Sequence, residues 1–218
     1  MERGQPLSST WGGRMTVVLG ILPERAGVAC DEALFSLLAI VERGHPFFRV
    51  KYTRADKQRN TLAQMLLDSD YSHILMLDVD HKHPADIVER LLAHNKPVMS
   101  GLSYRRGPPY EPTAWAYDDG DMLRLAAVPT EPFQTDFVGG ACLMIAREVF
   151  ETIPSPWFTI EYGKWLGEDL AFCAKCREHD IPIWVDPSVQ SPHLVQGWVD
   201  QNVSDAFRRQ YDNQRAAE

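Results

Sequence analysis

Two aspartates that follow an apolar run are the first residues whose types and spacing could support chemistry. Residues 74–77 predict a buried strand, and Asp78 and Asp80 come directly after it. Side chains two residues apart in an extended chain point the same way, so we expect both carboxylates to face one side. At the carboxyl end of a parallel strand, two such ligands suit Mg²⁺ or Mn²⁺ and leave positions for substrate phosphates. Alone, the pair could equally cap a loop or the next helix.

Two further groups could complete such a site. Glu168 and Asp169 follow Gly167 at the start of a predicted helix, where the helix dipole favours acidic side chains. A carboxylate there could instead act as a general base. His193 comes late in the chain, and a single histidine is usually structural. Beside carboxylates, however, a neutral imidazole is a good Mn²⁺ ligand.

The composition indicates one globular domain. The chain has 218 residues, 44% of them hydrophobic and 24% charged, which suits a single compact domain over residues 15–218. The net charge of −8 disfavours non-specific binding to nucleic acid, and the pair Arg105-Arg106 is interpreted as a solvated surface pair. Residues 1–14 predict a flexible arm without signal-peptide features. No apolar run reaches the roughly 18 residues of a membrane span, so we expect a cytoplasmic protein with no membrane partner.

Strand-like and helix-like segments alternate through the first hundred residues. The predicted strands are residues 15–22, 47–52, 73–78 and 97–102, and the predicted helices between them are residues 31–43, 57–67 and 84–94. This order is typical of a doubly wound parallel sheet. The second half predicts a hairpin around residues 118–121, strands at 137–146 and 181–185, and helices at 147–153, 168–178 and 202–215. We therefore expect an α/β fold with an open, mostly parallel sheet flanked by helices and a small antiparallel extension.

The order of these features resembles the GT-A fold glycosyltransferases, which have a Rossmann-like sheet. It is most similar to the family 2-like group, which includes small stand-alone bacterial and bacteriophage proteins. Three segments carry the resemblance: DVD at 78–80, DFVGGACLMIAREVF, and GEDLAFCAKCREHDIPIWVDPSVQSPH. The match covers roughly residues 15 to 195 and rests on order more than on any one motif. It implies transfer of a sugar from a nucleotide-sugar, by family habit a UDP-sugar, to an acceptor hydroxyl with inversion.

The resemblance also implies roles for individual residues. Asp80 and His193 would bind Mn²⁺ or Mg²⁺, and Asp78 would contact the ribose or reach the metal through water. Asp169 would be the base, with Glu168 holding the acceptor. The donor would lie on the loops after the first three strands, at Pro23, Glu24, Arg25, Asp56, Arg59, Asp78 and Val79. The basic continuation His81-Lys82-His83 departs from the family pattern.

Acceptor contacts are predicted from residue types in the second half of the chain. Trp115, Trp157 and Trp165 could stack on a sugar or a base, although each could equally be a core residue. Gly140 could allow close approach of the backbone to the substrate, or it could mark a strand irregularity. The acceptor itself stays open between a glycan, a protein, a lipid-linked sugar and a hydroxylated nucleobase in phage DNA, although the lack of an apolar membrane segment weighs against the lipid.

Two other function classes remain open. A metal-dependent hydrolase could use Asp78, Asp80, His81, His83 and His193, but the common HxHxDH and HExxH orders are absent. A non-catalytic module that binds a nucleotide-sugar would not require both the aspartate pair and the carboxylates at residues 168–169. The sequence therefore favours a glycosyltransferase.

Overall fold

The apolar runs of the sequence form the strands of a central sheet. The computed structural model describes residues 15–23, 31–125, 127–160, 167–195 and 198–215. Its strands are β1 Val17–Leu22, β2 Phe47–Arg49, β3 His73–Asp78, β4 Val98–Leu102, β5 Ala114–Asp118, β6 Asp121–Arg124, β7 Phe133–Thr135, β8 Phe137–Val138, β9 Cys142–Ala146, β10 Ile183–Gln190, β11 His193–Leu194 and β12 Trp198–Val199. Its helices are α1 Asp31–Val41, α2 Ala55–Leu67, α3 Ile87–Ala93, α4 Arg147–Thr152, α5 Glu168–Glu178 and α6 Gln201–Arg215.

The main sheet is mostly parallel, as the sequence predicts. Within the described residues its strand order is β2-β1-β3-β9-β4-β10-β7. Strands β1, β2 and β3 run parallel, and β10 runs parallel to β4. Strand β9 is antiparallel to both β3 and β4, and β7 is antiparallel to β10. The carboxyl ends of β1, β3, β4 and β10 therefore meet at one edge of the sheet.

Two glycines divide the strand predicted at residues 137–146. Its first part, β8, pairs with the β5–β6 hairpin in a small antiparallel sheet, and its second part, β9, enters the main sheet. A Cβ on Gly139 would lie 2.8 Å from the Thr113 Cβ, and a Cβ on Gly140 would lie 2.6 Å from the Arg59 Nη2. The prediction of one continuous strand is wrong, because the strand is interrupted between Val138 and Cys142. Glycine is needed in the interruption because Thr113 and Arg59 leave no room for a side chain.

The core has two layers, one on each face of the sheet. Strand β3 contributes to both because its side chains alternate: Ile74 and Met76 pack into one layer, and Leu75 and Leu77 into the other. Helix α2 covers the first layer, whereas α1 and α3 cover the second. This burial on both faces holds the carboxyl end of β3 rigidly. Among the described helices, none has the length and apolar character that a membrane crossing needs.

Candidate active site

A buried histidine braces the carboxyl end of β3. His83 Nε2 donates to the Asp78 carbonyl oxygen at 3.0 Å, and its Nδ1 accepts from the Ser191 hydroxyl at 3.0 Å. Burial, together with the nearby His81, lowers the pKa of His83 to about 3, so the imidazole is neutral at physiological pH. His83 therefore ties the end of β3 to the segment before β11. This contact gives His83 of the His81-Lys82-His83 segment a structural role.

His81, from the same segment, belongs to a cluster around Asp80. Short β11 lies against the turn after β3, through a bridge between His81 and His193 and a hydrogen bond from the Leu194 N to the Asp80 carbonyl at 2.9 Å. The Asp80 Oδ1 lies 2.8 Å from the His81 Nδ1, and its Oδ2 lies 3.0 Å from the His193 Nε2. One potential ligand atom from each of Asp80, His81 and His193 lies within 4.8 Å of the others.

The chemistry of this group fits a divalent cation. His193 Nδ1 lies 2.9 Å from the Tyr104 carbonyl oxygen, which can only accept, so Nδ1 carries a proton and Nε2 faces Asp80. Burial alone would raise the pKa of Asp80, but contacts with His193 and His81 hold it well below the usual range. A buried carboxylate beside imidazole nitrogen is a donor set that Mn²⁺ accepts.

Asp78 lies outside this group, because the strand ends at Asp78 and the alternation of side chains does not extend to Asp80. Its Oδ1 accepts a hydrogen bond from the Arg59 Nη2 at 2.9 Å, and the Arg59 Nε donates to the Glu168 Oε1 at 3.1 Å. The Arg59 side chain is only 3% exposed. Burial opposes its charge, but attraction to Asp78 and Glu168 prevails and raises the pKa of Arg59.

Asp169 is held by the backbone at the start of α5. Its Oδ1 accepts from the Leu170 N at 2.8 Å and its Oδ2 from the Gly140 N at 3.0 Å. Burial, and then the charge of Glu168, raise the pKa of Asp169 to about 6. Arg59 and the two amides oppose this rise. The carboxylate is therefore oriented, and at neutral pH it is largely ionised and able to accept a proton.

A cavity of about 410 Å³ lies at the end of β1, beside Arg59, Asp78 and Glu168. Such a volume is in the usual range for a small-molecule site. Three of the predicted donor residues and Glu168 share its wall with residues that the sequence did not indicate. The lining residues are Leu22, Pro23, Tyr52, Thr53, Arg54, Ala55, Gln58, Arg59, Asp78, Ile160 and Glu168.

The remaining predicted site residues have other environments. Asp56 is buried beside this cavity, where it pairs with Arg54 through both oxygens at 2.6 Å. Val79 packs against the second core layer, and Trp115 packs against the first. Trp157 is a core residue, because its side chain is buried and its Nε1 donates to the carbonyls of Phe150 and Ile153. Glu24, Arg25 and Trp165 lie outside the described residues.

Arg106 joins the Asp80 cluster, although its sequence context was interpreted as a solvated surface pair. Its Nη2 contacts the Asp80 Oδ2, and its Nε donates to the His193 Nε2 at 3.1 Å. Arg106 follows β4, whose carboxyl end lies at the same edge as that of β3. The position after a second parallel strand is the signal that could have found it.

Solved structures with the same architecture support the expected fold class. The crystal structure of A197 from STIV matches with a TM-score of 0.61 and 20% identity, over 83% of this chain and 86% of that chain. The crystal structure of GalNAc-T7 with UDP, GalNAc and Mn²⁺ matches with a TM-score of 0.55 and 15% identity. That match covers 83% of this chain but only 44% of the GalNAc-T7 chain. No protein-family model matches, and no curated protein matches by sequence. The fold is of the GT-A type, which confirms the expectation for the sheet, its helices and the antiparallel extension.

Proposed function

We propose that this chain, a GT-A fold with two groups of polar side chains at one edge of its sheet, is a metal-dependent glycosyltransferase. The observation that carries the proposal is the Asp80–His81–His193 group, which begins two residues after Asp78, itself in the wall of a cavity that contains Glu168. The first group suits a divalent cation, which would stabilise the departing nucleoside diphosphate. The carboxylate of Glu168 suits the acceptor.

The donor is a nucleotide-sugar that occupies the cavity at the ends of β1 and β3 and the start of α2. Pro23, Arg59 and Asp78 line this cavity, and Tyr52 adds an aromatic ring suited to stacking on a base. UDP is the proposed nucleotide because the GalNAc-T7 structure of the same fold was solved with UDP and Mn²⁺. A cavity of about 410 Å³ is large enough for the nucleoside, and the Arg59 and Asp78 side chains form part of its wall.

Asp80 and His193 are the residues that would hold the cation. When bound, a divalent cation neutralises the charge that develops on the departing nucleoside diphosphate. The His193 Nδ1 hydrogen bond to Tyr104 orients its ring, and His81 orients the Asp80 carboxylate. Asp78 does not compete for this role, because its partner Arg59 is buried, with a side chain that is only 3% exposed.

Asp169 is the proposed base and Glu168 the residue that positions the acceptor. The acceptor hydroxyl oxygen attacks the anomeric carbon while the bond from that carbon to the phosphate oxygen breaks, and the hydroxyl proton passes to Asp169. Attack from the face opposite the leaving group inverts the anomeric configuration. Gly140 supports the base through its N–H, and Trp115 and Trp165 are the proposed aromatic contacts of the acceptor.

A donor screen tests the proposal. The protein is incubated with Mn²⁺ and a panel of nucleotide-sugars, and release of nucleoside diphosphate is measured with glycan, peptide and hydroxymethylated DNA acceptors. Calorimetry then measures UDP binding for the wild type, Asp80→Asn and His193→Ala. Asp70→Asn is the matched control, because Asp70 is exposed and precedes the opposite end of β3.

We expect both site variants to lose most of the Mn²⁺-dependent heat of binding and the control to retain it. UDP affinity that a chelator leaves unchanged would overturn the metal dependence. Turnover of substrates that contain no nucleotide would identify a hydrolase instead. Nucleotide-sugar binding without turnover on any acceptor would identify a binding module.

A further inference from the structure

The Arg106 side chain contacts both members of the Asp80–His193 pair. His193 uses its Nδ1 proton on the Tyr104 carbonyl, and its Nε2 accepts from Arg106. The same Nε2 lies 3.0 Å from the Asp80 Oδ2, which Arg106 also contacts. The guanidinium therefore contacts both of the atoms proposed to bind the cation.

Arg106 contacts the same two atoms that would bind the divalent cation. A metal ligated by the Asp80 Oδ2 and the His193 Nε2 needs the lone pairs to which the guanidinium now donates. The His193 Nε2 has a single lone pair, so it can accept from Arg106 or bind a metal ion, but not both at once. Occupation by one therefore requires departure of the other.

The surroundings of Arg106 permit that departure. Its side chain is 47% exposed, whereas that of Asp80 is 3% exposed. Arg106 lies in the loop between β4 and β5, and a Cβ placed on the next residue, Gly107, would meet no atom within 4 Å. Nearly half of the Arg106 side chain therefore already faces solvent, and open space adjoins the backbone next to it.

We propose that Arg106 and the divalent cation are alternative occupants of the Asp80–His193 pair, so that metal binding releases Arg106 from the site. The proposal rests on the metal site of the proposed function and adds a competitor to it. Arg106 keeps the buried Asp80 carboxylate compensated when no metal is bound. Its release leaves a guanidinium at the sheet edge where the donor diphosphate would lie, and guanidinium groups bind phosphate well.

Mn²⁺ affinity in the absence of nucleotide tests the exchange. Free Mn²⁺ is measured by its electron paramagnetic resonance signal during titration of the wild type, Arg106→Gln and Arg105→Gln. Arg105 is the matched control because it has the same charge, is the adjacent residue and is 59% exposed, but it pairs with Glu111 instead of Asp80. We expect Arg106→Gln to bind Mn²⁺ about tenfold more tightly, as for the loss of a competing ligand, and Arg105→Gln to stay within about twofold.

A spectroscopic measurement follows the release directly. In nitrogen-15 spectra, the Arg106 Nε–H signal, identified by its absence from Arg106→Gln, should shift when diamagnetic Mg²⁺ is added. The Arg59 Nε–H signal should not shift, because Arg59 stays bound to Asp78 and Glu168.

The outcomes separate this proposal from the proposed function. Equal Mn²⁺ affinity in the wild type and Arg106→Gln would overturn the exchange while leaving the metal site in place. An equal gain in Arg105→Gln and Arg106→Gln would also overturn it, since a general charge effect would then explain the gain. Absence of Mn²⁺ binding in all three proteins would overturn both the metal site and the exchange.

Discussion

Asp78 and Asp80 are separated by a single residue, yet each carboxylate is neutralised in a different way. The partner of Asp78 is Arg59, whose side chain is 3% exposed and is also held by Glu168. The partner of Asp80 is Arg106, whose side chain is 47% exposed and lies on a loop. A similar ion pair is therefore enclosed in one case and open to solvent in the other.

This difference in exposure indicates that Arg59 belongs to the fixed part of the site, whereas Arg106 can be exchanged for another cation. If the buried Arg59 side chain moved away, the carboxylates of Asp78 and Glu168 would lose their partner at a high cost in free energy. Arg59 therefore fixes the positions of both carboxylates. An arginine at the surface exchanges with water and ions at little cost. An exposed arginine such as Arg106 suits a site that must bind and release a cation. A buried arginine such as Arg59 suits a site that must orient a carboxylate.

The largest expected effect comes from a change in the buried group around Arg59 that leaves the Asp80–Arg106 pair intact. Asp169→Asn should lower kcat by about two to four orders of magnitude, as for the loss of a general base. Mn²⁺ and UDP affinities should stay near those of the wild type, because the Asp169 carboxylate accepts from the Leu170 and Gly140 amides and lies outside the Asp80 group. Steady-state kinetics and calorimetry check the two halves of this prediction.

The Asp169→Asn side chain keeps only one acceptor oxygen, so the Gly140 or the Leu170 amide loses its partner. Thermal denaturation must therefore show that the variant is folded at the assay temperature. Near-normal turnover in Asp169→Asn would place the base elsewhere or indicate a retaining reaction. Proton NMR of the product anomer distinguishes those two outcomes.

The second prediction compares the two arginines directly. Arg59→Met should lower the free energy of unfolding by about 3–5 kcal/mol, because it leaves the buried charges of Asp78 and Glu168 without their partner. Arg106→Met should lower it by less, about 1–3 kcal/mol, because Asp80 keeps its contacts with His81 and His193 and solvent can replace the half-exposed guanidinium. Urea denaturation measures both, and equal losses would contradict the distinction between a fixed and an exchangeable cation.

A smaller effect follows from the close approach of the Gly140 backbone to the Arg59 guanidinium. Gly140→Ala places a Cβ 2.6 Å from the Arg59 Nη2, so the guanidinium must shift away from its partners. We expect a loss of about 1–3 kcal/mol in the free energy of unfolding, which is typical of overpacking. Gly107→Ala is the control, since no atom lies within 4 Å of the added group beside Arg106. Similar melting temperatures for both variants would refute the tight contact.

The smallest effect concerns pH. Because burial and Glu168 raise the pKa of Asp169 to about 6, the carboxylate is ionised above that pH and protonated below it. A base must be ionised, so kcat/KM should be constant above about pH 7 and fall roughly tenfold per unit below pH 6. The residual activity of Asp169→Asn should lack this acid limb. An unchanged limb in the variant would assign the titration to another group.

Local patterns predict much of this fold because they depend on neighbours in the chain. The apolar run before Asp78 forms β3 with the predicted bounds, and the polar turn at residues 118–121 joins β5 and β6. Helix α5 begins at Glu168, as its acidic first turn indicates. Alternation, turn residues and helix-start residues act over a few positions, so the sequence alone determines them.

Contacts between distant segments decided the rest. Strand β9 enters between β3 and β4, and this insertion depends on pairing partners that no local pattern specifies. Arg59 reaches Glu168, 109 residues away in the chain, and Arg106 reaches His193, 87 residues away. By itself the sequence determined which residue types follow which strands. The tertiary structure decided that Arg59 is enclosed and Arg106 is exposed, because burial depends on what the whole chain packs around each side chain.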